Sequence, residues 1–337
     1  MDGSAIELTL DALGVCNFCK IAQWELALAE KESIHLGQKL EQIQRDGKRK
    51  KYDCLIGLSG GADSSTVLHH AVRLGLRPFC YSIDNGYNDP KSDENILRLV
   101  EQLKVPFYRY TIDLVQFHKL QGAFLKAGLI NAEIPTDHIL MTTSYEMADK
   151  YGIKWILSGG NVATESIMPA SWSYPARDLR HVRDVYRKMT GKILSGLPVC
   201  GLLKWNWYHN VKRIKIFYLL DYLGYNRQES TNLLQQEYGW KDYHEKHCES
   251  LFTWWFQNYY LFEKFGIDKR KAHYSSLINS KQMTRQEAIR LLGERPIYPQ
   301  LGLEKKVMHY QKHRHEDFKT DQWYNRISKV IRYVRGR

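Results

Sequence analysis

The stretch LIGLSGGADSST, residues 55–66, constrains this chain more than any other. An apolar run, KYDCLIGL, ends in Ser59-Gly60-Gly61. SSTVLHHAVRLGL follows, with an apolar face at Val67, Leu68, Ala71, Val72 and Leu74. That order predicts a buried strand, a tight turn and a helix. Such a junction aims unpaired N–H groups and the positive end of a helix dipole at one point, which makes an anion site. Gly60 and Gly61 let the backbone approach phosphate. Ser59, Ser64 and Ser65 add hydroxyl donors. Asp63, which cannot donate to phosphate when ionised, is the candidate Mg²⁺ ligand. No lysine stands where G-x-x-x-x-G-K-[ST] requires one, and G-x-G-x-x-G is also missing, so this phosphate loop belongs to neither of those classes.

The flanking sequence repeats the alternation. RPFCYSID reads as a strand, DENILRLVEQLKV as a helix, PFYRYTID as a strand, residues 137–150 as a helix and KWILSGG as a strand running into glycines. This succession predicts an α/β fold, an open and mainly parallel sheet with helices on both faces. Beyond about residue 170 the chain becomes dense in aromatics and helical in period, as in LFTWWFQNYYLFEKFG. Phe252, Trp255, Tyr259 and Phe262 recur at helical spacing and read as core; Trp254 and Tyr260 fit either a core or a ligand platform. The expected division is an N-terminal segment, 1–49, a nucleotide domain, 50–170, and a mainly helical, aromatic-rich substrate or partner region, 171–337.

Ligands of an open parallel sheet gather at the carboxyl ends of its strands. Asp84 and Asn85 end the second strand, and Gly159, Gly160, Asn161, Thr164 and Glu165 follow the last. Glu165 is a candidate to share Mg²⁺ with Asp63, and Asn161 and Thr164 to contact substrate; loop capping is the competing role for all of them. Lys269 and Arg270 are adjacent cations after FEKFGID, and His273 lies about one helical turn on. They read either as a diphosphate-neutralising group with catalytic work or as a solvated basic cluster.

Lys and Arg outnumber Asp and Glu by 49 to 37, a formal charge of +12, which favours polyanionic partners. The excess peaks in residues 303–337, where a solvated basic face is a simpler reading than RNA contact. No apolar run approaches the length of a spanning helix, and MDGSAIELTL lacks the pattern of a secretory signal. Six cysteines do not suggest a disulfide scaffold, and a reduced, cytoplasmic setting is expected. Cys54 and Cys80 sit in apolar runs as small hydrophobes. Cys16-x-x-Cys19 has the spacing of half a zinc site.

S-G-G-x-D-S after a buried strand resembles the PP-loop of the ATP pyrophosphatases, which include NAD, GMP and argininosuccinate synthetases and tRNA thiolases. The resemblance implies a HUP-like fold and cleavage of Mg²⁺–ATP between its α and β phosphates. It further implies adenylation of a carbonyl-type oxygen and displacement of AMP by a nitrogen or sulfur nucleophile. The loop would grip the departing pyrophosphate, with Gly159 and Gly160 beside it and the nucleoside near Asp84 and Asn85. Over nearly the whole chain, GVCNFCKIAQ, GLSGGADSS, IDNG, ILSGGNVATES and FTWWFQNYYLFEKFGIDKRKAHYSSLINSKQMTRQEAI resemble the bacterial N-acetyl sugar amidotransferases of surface-polysaccharide (lipopolysaccharide O-antigen) biosynthesis. That likeness implies conversion of an N-acetyl group of a UDP-linked diacetamido sugar, a uronic acid in one enzyme of the family, into an acetamidino group. It also implies ammonia from a glutaminase resembling that of the histidine pathway, with a cyclase-like barrel protein as a second partner. A homo-oligomer is compatible. The family commonly carries another C-x-x-C just before a segment beginning M-D. This sequence starts at that M-D, so either its start is truncated or this member has lost the site, with Cys200, Cys248 or the histidines of HEKHCES as candidates to complete it. Two other readings share the loop: a tRNA thiolase, and a noncatalytic subunit of a polysaccharide complex. No recognisable RNA-binding module supports the first, and the complete loop argues against the second.

Overall fold

The computed structural model describes residues 1–243 and 246–321. Five strands form one sheet: β1 (Cys54–Gly57), β2 (Pro78–Asp84), β3 (Phe107–Thr111), β4 (Trp155–Leu157) and β5 (Lys215–Phe217). Their order is β3-β2-β1-β4-β5, and every pairing is parallel. The first four are the strands expected from the apolar runs. β5 is not: a three-residue KIF segment carries almost no signal of its own and becomes a strand by pairing with the edge of β4.

Alternate strand residues feed two cores. Leu55, Phe79, Tyr81, Ile83 and Ile156 pack on one side with Phe117 and Leu120 of α5 (Leu114–Lys126), Ile139 and Tyr145 of α6 (Ile134–Lys150), and Val182 and Val185 of α8 (Leu179–Thr190). Cys54, Ile56, Leu58, Cys80, Leu157 and Phe217 pack on the other with α3 (Ala62–Arg73), α4 (Pro90–Gln102) and α10 (Arg227–Tyr238). Burial on both faces explains why these strands are continuously apolar. Cys54 and Cys80 are fully buried, as small hydrophobes should be.

Residue 170 is not an edge of the sheet, because β5 completes it from beyond that point. The carboxyl-terminal region also supplies Tyr238, whose hydroxyl bonds His69 Nδ1 of α3 at 2.7 Å. The first segment is equally integrated. α1 (Asn17–Ser33) lies against α7 (Val162–Glu165) and α12 (Arg270–Asn279), and Asp46 of α2 (Leu36–Gly47) accepts from Trp155 Nε1 at 2.9 Å. The three expected stretches therefore share common cores.

The aromatic segment departs from simple helical period. Between α9 (Leu202–Asn206) and the carboxyl-terminal helices, α11 (Leu251–Trp255) continues as a π-helical segment, Phe256–Lys264. The wider turn moves the buried face from the expected Tyr259 and Phe262, which are half-buried, to Tyr260, Leu261 and Lys264. Tyr260 is core, its hydroxyl donating to the Leu129 carbonyl at 2.9 Å, and Trp254 Nε1 donates to the Ile297 carbonyl at 2.8 Å. Among the described residues no helix is long and apolar enough to cross a membrane.

Candidate active site

Strand order reverses at β1 and β4, so the loops leaving them flank a crevice. The β1 loop is Ser59–Gly61, and α3 begins directly after it with no side-chain cap. Its first N–H groups are therefore available to an anion. Gly60 adopts φ +80°, and a Cβ there would lie 2.4 Å from the Ser92 carbonyl oxygen, so only glycine fits. The Gly60 carbonyl accepts from Trp240 Nε1 at 3.2 Å and Asn95 Nδ2 at 3.3 Å, which fixes the turn. Ser59 Oγ lies 3.2 Å from Ser64 Oγ, closing the loop on itself. From the β4 loop, Gly159 packs so closely that a Cβ would meet Ser64 N at 3.1 Å.

A cavity of about 250 Å³ sits over this loop, lined by Ser59, Gly61, Asp63, Ser64, Gly159 and Glu165 together with Arg227, Tyr243, Lys246, His247 and Glu249. Lys246 is the centre of its charge. Its Nζ stands 3.0 Å from Asp63 Oδ2 and 2.7 Å from Glu165 Oε1, and donates to Thr164 Oγ1 at 2.6 Å. Burial alone would lower the Lys246 pKa, but the two carboxylates outweigh it and hold it above its ordinary value. Burial likewise opposes ionisation of Asp63, yet Lys246 and the Tyr225 hydroxyl hold its pKa below the usual range. Asp63 and Glu165 thus converge on one cationic centre. Two carboxylates so placed suit Mg²⁺, which takes one or two carboxylates and completes its shell with phosphate and water. Glu249 accepts from Ser59 Oγ at 3.3 Å, and burial beside Asp63 raises its pKa.

A larger cavity of about 700 Å³ adjoins the first and shares Ser59, Gly159, Glu165, Lys246, His247 and Glu249 with it. Its walls include Asn85, Thr164, Lys269 and His273, and two carboxylates of α6's amino end, Glu133 and Asp137. Burial raises the pKa of both acids, more so for Glu133 because Asp137 is beside it. Burial also brings Lys269 down to about 8, against the pull of the same two acids.

Several expected site residues take other work. Arg270 is buried away from both cavities: it is paired with Asp268 at 2.8 Å and donates to the carbonyls of Leu291 and Glu294, at 3.2 and 2.9 Å. It ties α12 to the end of α13 (Arg285–Leu292) and is not a cavity cation. His273 does reach the larger cavity, but burial lowers its pKa to about 3 and its Nδ1 bonds the Thr164 carbonyl at 3.1 Å, so it is neutral. Asn161 lines neither cavity. It caps α7, accepting from Thr164 N at 2.9 Å and Thr164 Oγ1 at 3.0 Å, and so orients the threonine that meets Lys246. Asp84 accepts from Gly86 N at 3.0 Å and shapes the turn behind Asn85. Ser65 is enclosed within α3, and Gly160 packs on the Tyr218 ring; neither lines a cavity.

Cys16 and Cys19 approach to 3.1 Å between sulfurs at the start of α1. Among the described residues no group of three or more His, Cys, Asp or Glu side chains could hold a metal, so neither Cys200 nor Cys248 completes a zinc site. His244 of HEKHCES and residues 322–337 of the basic tail lie outside the described residues.

The residues that sequence reasoning missed are Lys246, Arg227, Tyr225, Glu249, Glu133 and Asp137. Glu133 and Asp137 carried a weak signal, two acids one helical turn apart.

Residues 249–318 match the family described as LPS biosynthesis protein WbpG-like, C-terminal domain. No curated protein matches the chain. Among solved structures, NMN synthetase from Francisella tularensis is similar at 16% identity, covering 72% of this chain and 95% of that one with a TM-score of 0.32. The NH3-dependent NAD synthetase from Campylobacter jejuni covers 80% and 99% at 16% identity and a TM-score of 0.34. The glutamine-dependent NAD+ synthetase from Acinetobacter baumannii covers 73% of this chain and 50% of its own at 16% identity and a TM-score of 0.32.

Proposed function

We propose that this chain is an ATP-dependent ligase that converts an N-acetyl group of a UDP-linked diacetamido sugar, a uronic acid by preference, into an acetamidino group. The observation that carries the reading is the common wall of the two cavities. An anion loop built for phosphate opens onto a second chamber large enough for an acceptor. The family match over residues 249–318 supports the acceptor class, since that segment supplies the larger cavity with Ser250, Thr253, Phe256, Gln257, Lys269 and His273.

In this reading the acceptor's amide oxygen attacks the α-phosphorus of ATP and pyrophosphate leaves. Ammonia then adds to the activated carbon, and AMP departs carrying the former amide oxygen. The α3 amino end, Ser59 and Ser64 hold the leaving pyrophosphate, while Lys246 and Arg227 offset its charge. Asp63 and Glu165 would hold Mg²⁺, which when bound neutralises phosphate charge. Lys269 faces the acceptor chamber and meets the sugar's diphosphate or uronate. Ammonia would come from a partner glutaminase.

The test uses Mg²⁺, ATP, ammonium and a panel of UDP-linked N-acetyl sugars, with products read by mass spectrometry. Expected are AMP and pyrophosphate in step with a sugar product in which one oxygen is exchanged for NH. Release of ADP and phosphate would defeat the mechanism. AMP formation only with tRNA and a sulfur donor would make the chain a thiolase.

A further inference from the structure

Glu133 and Asp137 stand at the amino end of α6, four residues apart and therefore on one face of the helix, and both line the larger cavity. Asp137 is solvent-exposed at its tip although protein surrounds it on most sides, and Glu133 is half-buried. Two acids held side by side repel, and Thr253, Gln257 and Lys269 offset part of that repulsion. Thr253 Oγ1 donates to Glu133, with Gln257 near by. Lys269 acts on both acids through space, but its Nζ is bonded to Met168 Sδ at 2.7 Å. Two hydroxyls on the same cavity wall, Ser82 Oγ and Thr136 Oγ1, have no hydrogen-bond partner although their residues are only 2% and 9% exposed. Buried hydroxyls normally find a partner. Ser82 and Thr136 thus line the same cavity as the two acids, on the acceptor side of the common wall.

We propose that Glu133 and Asp137 form an ammonium-receiving site in the larger cavity and that Glu133 takes the proton that converts ammonium to ammonia. The site rests on the ligase reading above and names the residues that serve its nucleophile. One N–H bond of ammonium breaks, its proton passes to a Glu133 carboxylate oxygen, and the electron pair left on nitrogen is the one that attacks the activated carbon. The carboxylic acid then returns its proton to the basic amidine product or to solvent, which restores the starting state. The raised pKa of both acids suits a group that must accept and release a proton near neutrality.

The experiment compares the full chain with E133Q and D137N, and with the milder T136V. Thermal unfolding is first recorded in ammonium, sodium, potassium and tetramethylammonium chloride at equal ionic strength, without nucleotide. A saturable stabilisation specific to ammonium, absent from E133Q and D137N, supports the site. Equal stabilisation by potassium, or an ammonium effect retained in both variants, overturns it. In turnover, E133Q should raise the ammonium KM by about tenfold, equivalent to about 1.4 kcal/mol. It should also flatten the acidic limb of the pH–rate profile and leave the KM values for ATP and sugar unchanged. A raised sugar KM with an unchanged ammonium KM would assign the acids to acceptor binding and overturn the proposal. Equilibrium dialysis of ATP against the same preparations separates the two readings. Wild-type protein that binds ammonium but not ATP would sink the ligase reading alone, and the reverse would sink this site alone.

Discussion

At the scale of single residues the decisive contact is Lys246 between Asp63 and Glu165. Asp63 is legible in the sequence because it sits inside a strand–loop–helix motif, and Glu165 because it follows a strand end. Lys246 is not legible. Its neighbours in HEKHCES resemble metal ligands, and only the fold brings its ammonium to the carboxylates. His247 beside it adopts φ +66°, a left-handed conformation costly for a side-chain residue and typical of functional sites. Replacing Lys246 by Met would leave two converging carboxylates, one of them largely buried, without their cation. In Mg²⁺-free buffer this should lower stability by on the order of 3 kcal/mol, the scale for breaking a buried ion pair from one side. Magnesium should then recover more stability in K246M than in wild type, where it must first displace the ammonium. Urea unfolding with and without MgCl₂ checks this. A variant no more responsive than wild type would mean that the two carboxylates do not form a divalent site.

At the scale of elements, the carboxyl-terminal stretch up to Asp321 is fastened to α8 by a pair of histidines. His315 Nδ1 lies 3.1 Å from His181 Nε2, and the Tyr174 ring stacks on both, at 4.4 and 4.5 Å. Asp178 accepts from the Asp321 amide at 2.9 Å and Asp184 from the Lys319 amide at 3.0 Å, while Lys188 and Arg187 surround Asp184. Nothing in the spacing of two histidines 134 residues apart announces this. The π-helical shift at Phe256 is equally hidden, since it changes which aromatics are buried without changing the residues. Burial lowers the His181 pKa to about 4 and that of His315 to about 3, the second aided by the first. Both would titrate near 6.5 in the unfolded chain. Their contribution is therefore complete above about pH 6.5 and is lost as pH falls from there toward 4, because the unfolded chain takes up protons that the folded chain refuses. Urea unfolding between pH 7.5 and pH 4.5 should show this decline. In H181F/H315F the decline should be shallower; an identical slope would place the acid sensitivity elsewhere.

At the scale of the whole molecule, four strands and the anion loop were readable because each strand is an apolar run closed by turn residues. The sheet runs past the expected boundary at residue 170 for a physical reason. A sheet edge recruits a partner from anywhere in the chain, and β5 is too short to show a strand pattern before β4 is there to bond it. The consequence reaches function. The core on one face of the sheet draws Phe217, Leu219, Leu220, Leu234 and Tyr238 from beyond residue 170, and the cavity over the loop draws Arg227, Tyr243, Lys246, His247 and Glu249 from the same region. Residues 50–170 expressed alone should therefore keep the loop motif and lose what makes it a site. The fragment would expose the apolar side chains of α3 and α4 that α10 covers, and its β4 edge would stand open to other chains. It is expected to unfold without a cooperative transition in urea, to associate, and to show no ATP binding by equilibrium dialysis, whereas the full chain is expected to unfold cooperatively and to bind. A soluble, cooperatively folded 50–170 fragment that binds Mg²⁺–ATP as tightly as the full chain would show that the nucleotide site is self-contained and that the later residues serve the acceptor chamber alone.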